Sequence, residues 1–291
     1  MSRKSKSLAI AIICYVMWGI LPAYWNLLAG LNPLFILCCR IVFSLVFTVG
    51  ILFVTNRAHV LRDTLRNKST MRYLVPASVF ITCNWGLYIW AVNSGRVLDS
   101  SLGYYMNPLT GFLLGVLMFR EKYTRLQIAA VALAFTGVLI SLIAYGSFPF
   151  VALSLTLSFA TYGALKKKAH ADPVASIAVE TLFFAPIALV LALVFMPDSI
   201  KAVNPVNLLL LIGGGVATAT PLVMFSRAVN EIPFIIVCFL QYISPSLALI
   251  YGLVSGESIS RSQLVSFIFI GLGLVVFSIA LFRISKAEST V

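Results

Sequence analysis

Arg40 and Glu180 are set apart by what surrounds them. Each lies in a long apolar run, and each follows the proline that opens its run, Pro33 or Pro173, by seven residues. An ionisable group in such a run is expensive to bury, and where it occurs it marks a pathway, a proton relay or a paired contact. Arg40 has two readings: a functional group aimed at a partner, or a side chain whose long stem lets its head snorkel to the headgroups. Glu180 is too short to snorkel. It must face the interior, bond locally to a neighbouring helix, or carry a proton, which would suit a proton-coupling role. Each lies about 10 Å into its run at 1.5 Å per residue. Entered from opposite faces of a core about 30 Å thick, the two differ in depth by about 10 Å. A direct salt bridge between them needs a bend or a water-filled cavity.

A second set is polar and aromatic. Asn84, Trp85 and Tyr88 lie at i, i+1 and i+4, so Asn84 and Tyr88 share a helix face. Tyr104, Tyr105 and Asn107 form a second group, Gln241 and Tyr242 a third, and Tyr162 stands alone. A mid-membrane amide facing plain lipid would leave polar groups unpaired, so such residues face a partner helix or a cavity. Trp18 falls near the middle of its run and suits a cavity wall, whereas Trp25 falls near the end, where tryptophans anchor at the interface. Pro108 and Pro245 fall inside their runs, where proline removes a backbone bond and bends the helix; equivalent bends in two halves suit a gate. Gly213-Gly214-Gly215 lacks the P-loop pattern and suits close helix packing. Lys166-Lys167-Lys168 has the character of a cytoplasmic stop charge.

The elements that carry these residues follow from composition. Of 291 residues 60% are hydrophobic and 10% charged, far from the roughly 25% charge of soluble domains. Disorder, which needs low hydrophobicity, is equally excluded. About 20 apolar residues span a bilayer, and ten such runs occur, at 8–28, 33–55, 73–93, 100–119, 126–145, 148–165, 174–196, 206–226, 234–255 and 262–282. Lipid forces each to satisfy its backbone internally, which predicts helices; the alternating strands of a barrel do not occur. The longest connection, 56–72, has no room for a soluble domain. The basic start followed by an apolar run is expected to be a retained first helix, because that run lacks an A-x-A cleavage site.

Net charge is +12, and its distribution explains it. With ten spans and the N-terminus inside, Arg3, Lys4, Lys6, the five basic residues of 56–72, Arg120, Lys122, Arg125, the 166–168 triplet, Arg227, Arg283 and Lys286 fall inside, while only Arg96, Lys201 and Arg261 fall outside. This positive-inside bias predicts that both termini are cytoplasmic. The five cysteines all lie in apolar runs without a CxxC pair, which indicates neither a disulfide framework nor a zinc site.

The chain is written twice. Ala91-Val92-Asn93 recurs as Ala228-Val229-Asn230, and Tyr105, Pro108 and Gly115 recur as Tyr242, Pro245 and Gly252, all at an offset of 137. Glu121, Arg125, Gln127 and Gly137 recur as Glu257, Arg261, Gln263 and Gly273 at an offset of 136. The expected halves are 1–147 and 148–291. Five helices in each half is an odd number, so the second must be inverted, an arrangement of transporters with the substrate near the midplane. Tyr105 and Tyr242 should then approach the pseudo-two-fold axis from opposite halves. HExxH, GxSxG, a two-acid span and a Walker motif are all absent from the sequence, which argues against an enzyme or a direct ATPase. A channel would need charge rings or a carbonyl filter.

Several segments together resemble one family: Trp18-Gly19 with Pro22, then Arg40; the run Asn84–Asn93; the run Ser101–Leu109; Arg120-Glu121; Tyr162-Gly163; Thr220-Pro221-Leu222; Gln241–Pro245; and Phe267–Ile270. Over nearly its whole length the chain is similar to RarD proteins of the EamA group in the drug/metabolite transporter superfamily. That resemblance implies an all-α membrane protein of ten helices in an inverted five-plus-five repeat. It also implies a bacterial inner-membrane permease, named by association with chloramphenicol sensitivity, with a central cavity lined by helices 1, 3, 4, 6, 8 and 9. No metal or other cofactor is called for. The expected partners are a small organic solute and the bilayer, not nucleic acid; no obligate protein partner is indicated, and homo-oligomerisation is left open.

Overall fold

Asparagine or aspartate followed by proline starts three of the long helices, for a local reason. Asn32 Oδ1 accepts from the N–H groups of Leu34 (2.9 Å) and Phe35 (3.3 Å), and Asp172 Oδ1 accepts from those of Val174 (3.1 Å) and Ala175 (3.0 Å). Asn204 caps a third. In each case proline takes the first helical position, where its missing N–H leaves no bond unmade.

The computed structural model describes residues 3–254 and 260–289. Among them the regular structure is helical throughout: α1 (Arg3–Asn26), α2 (Pro33–Val54), α3 (Ala58–Arg66), α4 (Lys68–Asn93), α5 (Val97–Phe119), α6 (Arg125–Tyr145), α7 (Phe150–Ala169), α8 (Pro173–Phe195), α9 (Pro197–Lys201), α10 (Pro205–Glu231), α11 (Phe234–Leu240), α12 (Ile243–Val254) and α13 (Arg261–Ser289). Nine segments of the described residues are long and apolar enough to cross a membrane, with α11 and α12 together supplying one. The helix of comparable length outside that set is α7, whose last turn carries Lys166, Lys167 and Lys168. Glu257, the repeat partner of Glu121, lies outside the described residues.

Two expectations are corrected here. The connection expected at 56–72 is shorter and partly helical. It holds α3, and α4 begins at Lys68 rather than at 73. Val60 and Leu61 of α3 pack against Leu52, Ala175 and Ala178, while Arg57 reaches Asp172 at 2.5 Å. The run 234–255 is not one helix either. It breaks at Gln241 and Tyr242, whose N–H groups bond Cys238 O (3.2 Å) and Phe239 O (3.3 Å), three residues back. Pro245 therefore stands in the first turn of α12, where proline is tolerated, rather than at a bend within a continuous helix. Its repeat partner Pro108 sits inside an unbroken α5, as Pro22, Pro76, Pro186 and Pro221 sit inside theirs.

The packing obeys the repeat. A Cβ on Gly137 of α6 would meet Ser266 O of α13 at 2.7 Å, and one on Gly273 of α13 would meet Ala130 O of α6 at 2.9 Å. The offset of 136 carries each contact onto the other. The same exchange relates α4 against α7 to α10 against α1, and α5 against α7 to α12 against α1; α2 packs on α8, its own counterpart. Of the apolar cores that result, two are the largest. One, around Tyr15, Tyr162, Phe225 and Phe234, joins α1, α4, α7, α8, α10 and α11. The other, around Phe35, Ile41, Ala188 and Leu211, joins α2, α8 and α10. Polar side chains are held between them.

Candidate functional site

Arg40 does not snorkel; its guanidinium turns inward, across to α10. Its Nε donates to Thr218 Oγ1 at 2.9 Å, and the Thr218 hydroxyl spends its own proton on Gly214 O at 2.7 Å, so it faces Arg40 as an acceptor. Trp25 of α1 lies 4.4 Å from Arg40 Cζ and Trp85 of α4 lies 5.4 Å from it. Trp25, near the end of α1, is thus a packing partner of Arg40. Tyr88 and Tyr104 are close enough to interact electrostatically with the guanidinium, and their rings meet edge to face at 5.7 Å. Among the described residues no carboxylate pairs with Arg40.

The backbone makes this approach feasible. A Cβ on Gly215 would fall 2.4 Å from Phe43 Cβ and 2.5 Å from its carbonyl carbon, and one on Gly213 would fall 2.6 Å from the Tyr24 hydroxyl. The glycine triplet therefore lets α10 approach α2 and α1 closely. Ser44 Oγ donates to Gly215 O across that contact at 3.0 Å.

Glu180 is in a different state. Its Oε1 accepts from Lys166 Nζ at 2.5 Å and its Oε2 from the Tyr162 hydroxyl at 3.1 Å. Lys166 also donates to Ser176 Oγ at 2.5 Å, and Ser176 faces Ser226 Oγ at 3.2 Å. Lys166 is 2% exposed and Glu180 4%. Lys166 is therefore not a cytoplasmic stop charge but an interior ion-pair partner. The sequence held a signal for it: Lys166 follows Tyr162 by four residues and so shares its helix face. Lys167 is also engaged. Its Nζ donates to Val229 O (3.2 Å) and Ile232 O (3.0 Å) at the end of α10 and lies 3.2 Å from Glu121 Oε1. Glu121 in turn accepts from the N–H groups of Phe234 (2.7 Å) and Ile235 (2.9 Å), which clamps the turn between α10 and α11.

Two crevices lie in the bundle, one of them beside Glu180. The first is lined by Trp85 together with Ile41, Thr82, Glu180, Thr181 and Leu222, so the indole that stacks on Arg40 also walls a space reaching Glu180. Arg40 and Glu180 thus do not bond each other. The second crevice is lined by Asn84, Ser100, Gly103, Tyr104, Asn107, Leu155 and Phe159. Asn84 Nδ2 there donates to Leu155 O (2.8 Å) and Ser158 Oγ (2.9 Å), tying α4 to α7. Asn107 Oδ1 is buried without a hydrogen-bond partner.

The remaining candidates separate into two environments. Trp18 packs at 5.5–5.9 Å against Tyr15, Phe159 and Phe225, in the aromatic cluster that also encloses Tyr162. Tyr242 is fully buried among Ala130, Ala134, Phe239, Ile270 and Phe277, with its hydroxyl unpartnered. Tyr105 packs against that cluster and on Phe267 at 5.1 Å. Gln241 is buried at the break between α11 and α12. The structure therefore gathers Arg40, Trp85, Tyr88 and Tyr104 at one place, and sets Tyr242 in apolar packing between α6 and α13 apart from them. Thr218 completes the Arg40 cluster and carries no sequence signal, since threonine is ordinary in a membrane helix.

A bundle of membrane-length helices, built from two like halves around enclosed charges, defines the class: a multi-pass membrane transporter. The EamA-like transporter family model matches twice, at residues 5–143 and 147–279, and the chain belongs to that family. It is 38% identical to the uncharacterized transporter YojE of Bacillus subtilis over 99% of both chains. It is 34% identical to the protein RarD of Escherichia coli over 92% of both, and 40% identical to a protein RarD of Streptomyces exfoliatus over 79% of this chain and 74% of that one. A solved crystal structure superposes with a TM-score of 0.74 at 15% identity, over 97% of this chain and 99% of its own; at that identity it bears on the fold alone.

Proposed function

We propose that the protein carries a small organic solute across the bacterial inner membrane by alternating access, with ten spans in two inverted five-helix halves, 1–147 and 148–291, and both termini cytoplasmic. The observation that carries this reading is the crevice bounded by α2, α4, α8 and α10, which reaches Glu180 and shares the Trp85 indole with Arg40. It lies between helices of both halves, where rocking one half against the other would open it to either side in turn. On this topology Arg40 belongs to the periplasmic half of the bundle and the Lys166–Glu180 pair to the cytoplasmic half. The aromatic walls suit a solute with apolar surface.

Flux in proteoliposomes tests the mechanism. A carrier saturates and exchanges labelled for unlabelled solute; flux that neither saturates nor shows counterflow would instead mean a channel or facilitator. Cysteine labelling tests the topology. Lys201→Cys should react with a membrane-impermeant reagent from the periplasmic side, and reaction of Lys68→Cys from that side would overturn it.

A further inference from the structure

The proposed transport reading leaves the kind of solute open, and the Arg40 cluster narrows it. Arginine presents five N–H donors in a planar fork suited to a carboxylate. Here one donor is used, on Thr218, and the outer two nitrogens have no hydrogen-bond partner among the described residues. No acid among the described residues neutralises the charge, although Arg40 stands well inside a membrane-length helix. The other intramembrane charge is fully paired by Lys166 and Tyr162, so the fold builds an ion pair at one position and leaves it unbuilt at the other. Trp25 and Trp85 flank the guanidinium, Tyr88 and Tyr104 lie within electrostatic reach of it, and Tyr104 lines the crevice beside Asn107.

A second observation lies in the same crevice. Asn107 Oδ1 is an acceptor with no donor, on a side chain 4% exposed. A buried polar atom left unpaired carries an uncompensated desolvation penalty, and a ligand that brings an N–H or O–H there removes it. Arg40 does not itself line that crevice; Tyr104, which does, is within electrostatic reach of Arg40 and so stands between the two, and a solute admitted by displacement of the Tyr104 ring would meet an anion site at one end and an acceptor at the other.

We infer that the transported solute is a small organic anion: its carboxylate forms a forked contact with Arg40, its apolar body lies against Trp85 and Tyr104, and a donor group on it pairs with Asn107 Oδ1. This rests on the transport reading for the word transported, but the binding site stands on its own geometry. Cation–π contact with two indoles keeps the guanidinium in place while its outer edge stays free for the ligand.

Indole fluorescence of the purified full-length protein tests it, because Trp25 and Trp85 touch Arg40. The probes are phenylacetate and phenylalanine as carboxylates, with phenylacetamide and phenethylammonium as the neutral and cationic counterparts. At least one carboxylate should change the fluorescence saturably, at a concentration at least tenfold below either counterpart, and phenylalanine, which brings a donor, should bind more tightly than phenylacetate. Arg40→Gln should abolish the preference for carboxylate, and Arg40→Lys, which keeps charge but loses the fork, should weaken it. Because the carboxylate–amide comparison is made within the unaltered protein, it stands even where Arg40→Gln fails to fold. Equal binding of phenylacetamide, an unchanged preference in Arg40→Gln, or no binding by either carboxylate overturns the inference. Counterflow of the same probes in proteoliposomes separates the two readings. Arg40-dependent binding without counterflow keeps the anion site and removes transport of these anions; counterflow of phenethylammonium but not of the carboxylates keeps transport and removes the anion.

Discussion

Seven residues past an opening proline, the two halves carry opposite charges in opposite states. In the second half Glu180 is closed on Lys166 and Tyr162 with almost no exposure. In the first half Arg40 has, among the described residues, a single hydrogen bond and two indole faces and no paired carboxylate. The difference teaches that a shared sequence position does not mean a shared role. Removing either member of a buried pair exposes the other as an uncompensated charge, so the Glu180 cluster is fitted to hold helices α7 and α8 together. The Arg40 cluster holds less and offers more, which suits a ligand.

The largest effect that would sharpen this contrast comes from the closed pair. Lys166→Met alone should lower stability by about 3–5 kcal/mol, whereas Lys166→Met with Glu180→Met should recover most of that loss. Thermal unfolding in detergent, followed by the fraction remaining monodisperse, measures both. Equal damage from single and double variants would break the assignment of a mutually compensating pair.

Gly215→Val comes next. The added side chain meets the Phe43 backbone, which cannot swing aside, so a loss of about 1–3 kcal/mol or more is expected. Gly50→Ala is the control, since a Cβ there meets nothing within 4 Å; it should change stability by no more than about 0.5 kcal/mol. The offset of 137 places Pro76-Ala77-Ser78 opposite the glycine triplet. Only in the second half, therefore, is the approach to the partner helix built from bare backbone.

Arg40→Gln should reduce stability by less than Lys166→Met does, by about 1–2 kcal/mol, because it removes one hydrogen bond and two cation–π contacts but leaves no buried carboxylate unpaired. The same unfolding assay reads this, and a loss equal to that of Lys166→Met would erase the distinction between the clusters. The smallest effect belongs to Tyr242→Phe. Its hydroxyl is buried and unpartnered, so its removal should leave stability unchanged or slightly raised, while Tyr162→Phe should lose about 1–2 kcal/mol with the bond to Glu180. A drop in Tyr242→Phe flux at normal expression would show that this hydroxyl serves transport.

The sequence by itself determined the helical membrane class, most helix starts and the doubling of the chain. The reason is that lipid permits few backbone solutions, Asn-Pro and Asp-Pro caps act within four residues, and a repeat leaves its register in the letters. It also singled out Arg40 and Glu180, because charge in an apolar run needs no fold to be conspicuous. Tertiary structure alone decided their partners. Lys166 lies one residue past the end of the expected span at 165, and only the packing of α7 on the core turned it inward rather than into water. Thr218 sits 178 residues from Arg40, and its selection depends on how closely α10 approaches α2 through Gly215. The break at Gln241 and Tyr242 was equally invisible, since Tyr105 and Pro108 place the same letters in an unbroken α5. Local composition decides which segments can be helices in lipid; which side chains meet, and where a helix yields, depends on contacts between segments that the linear order does not bring together.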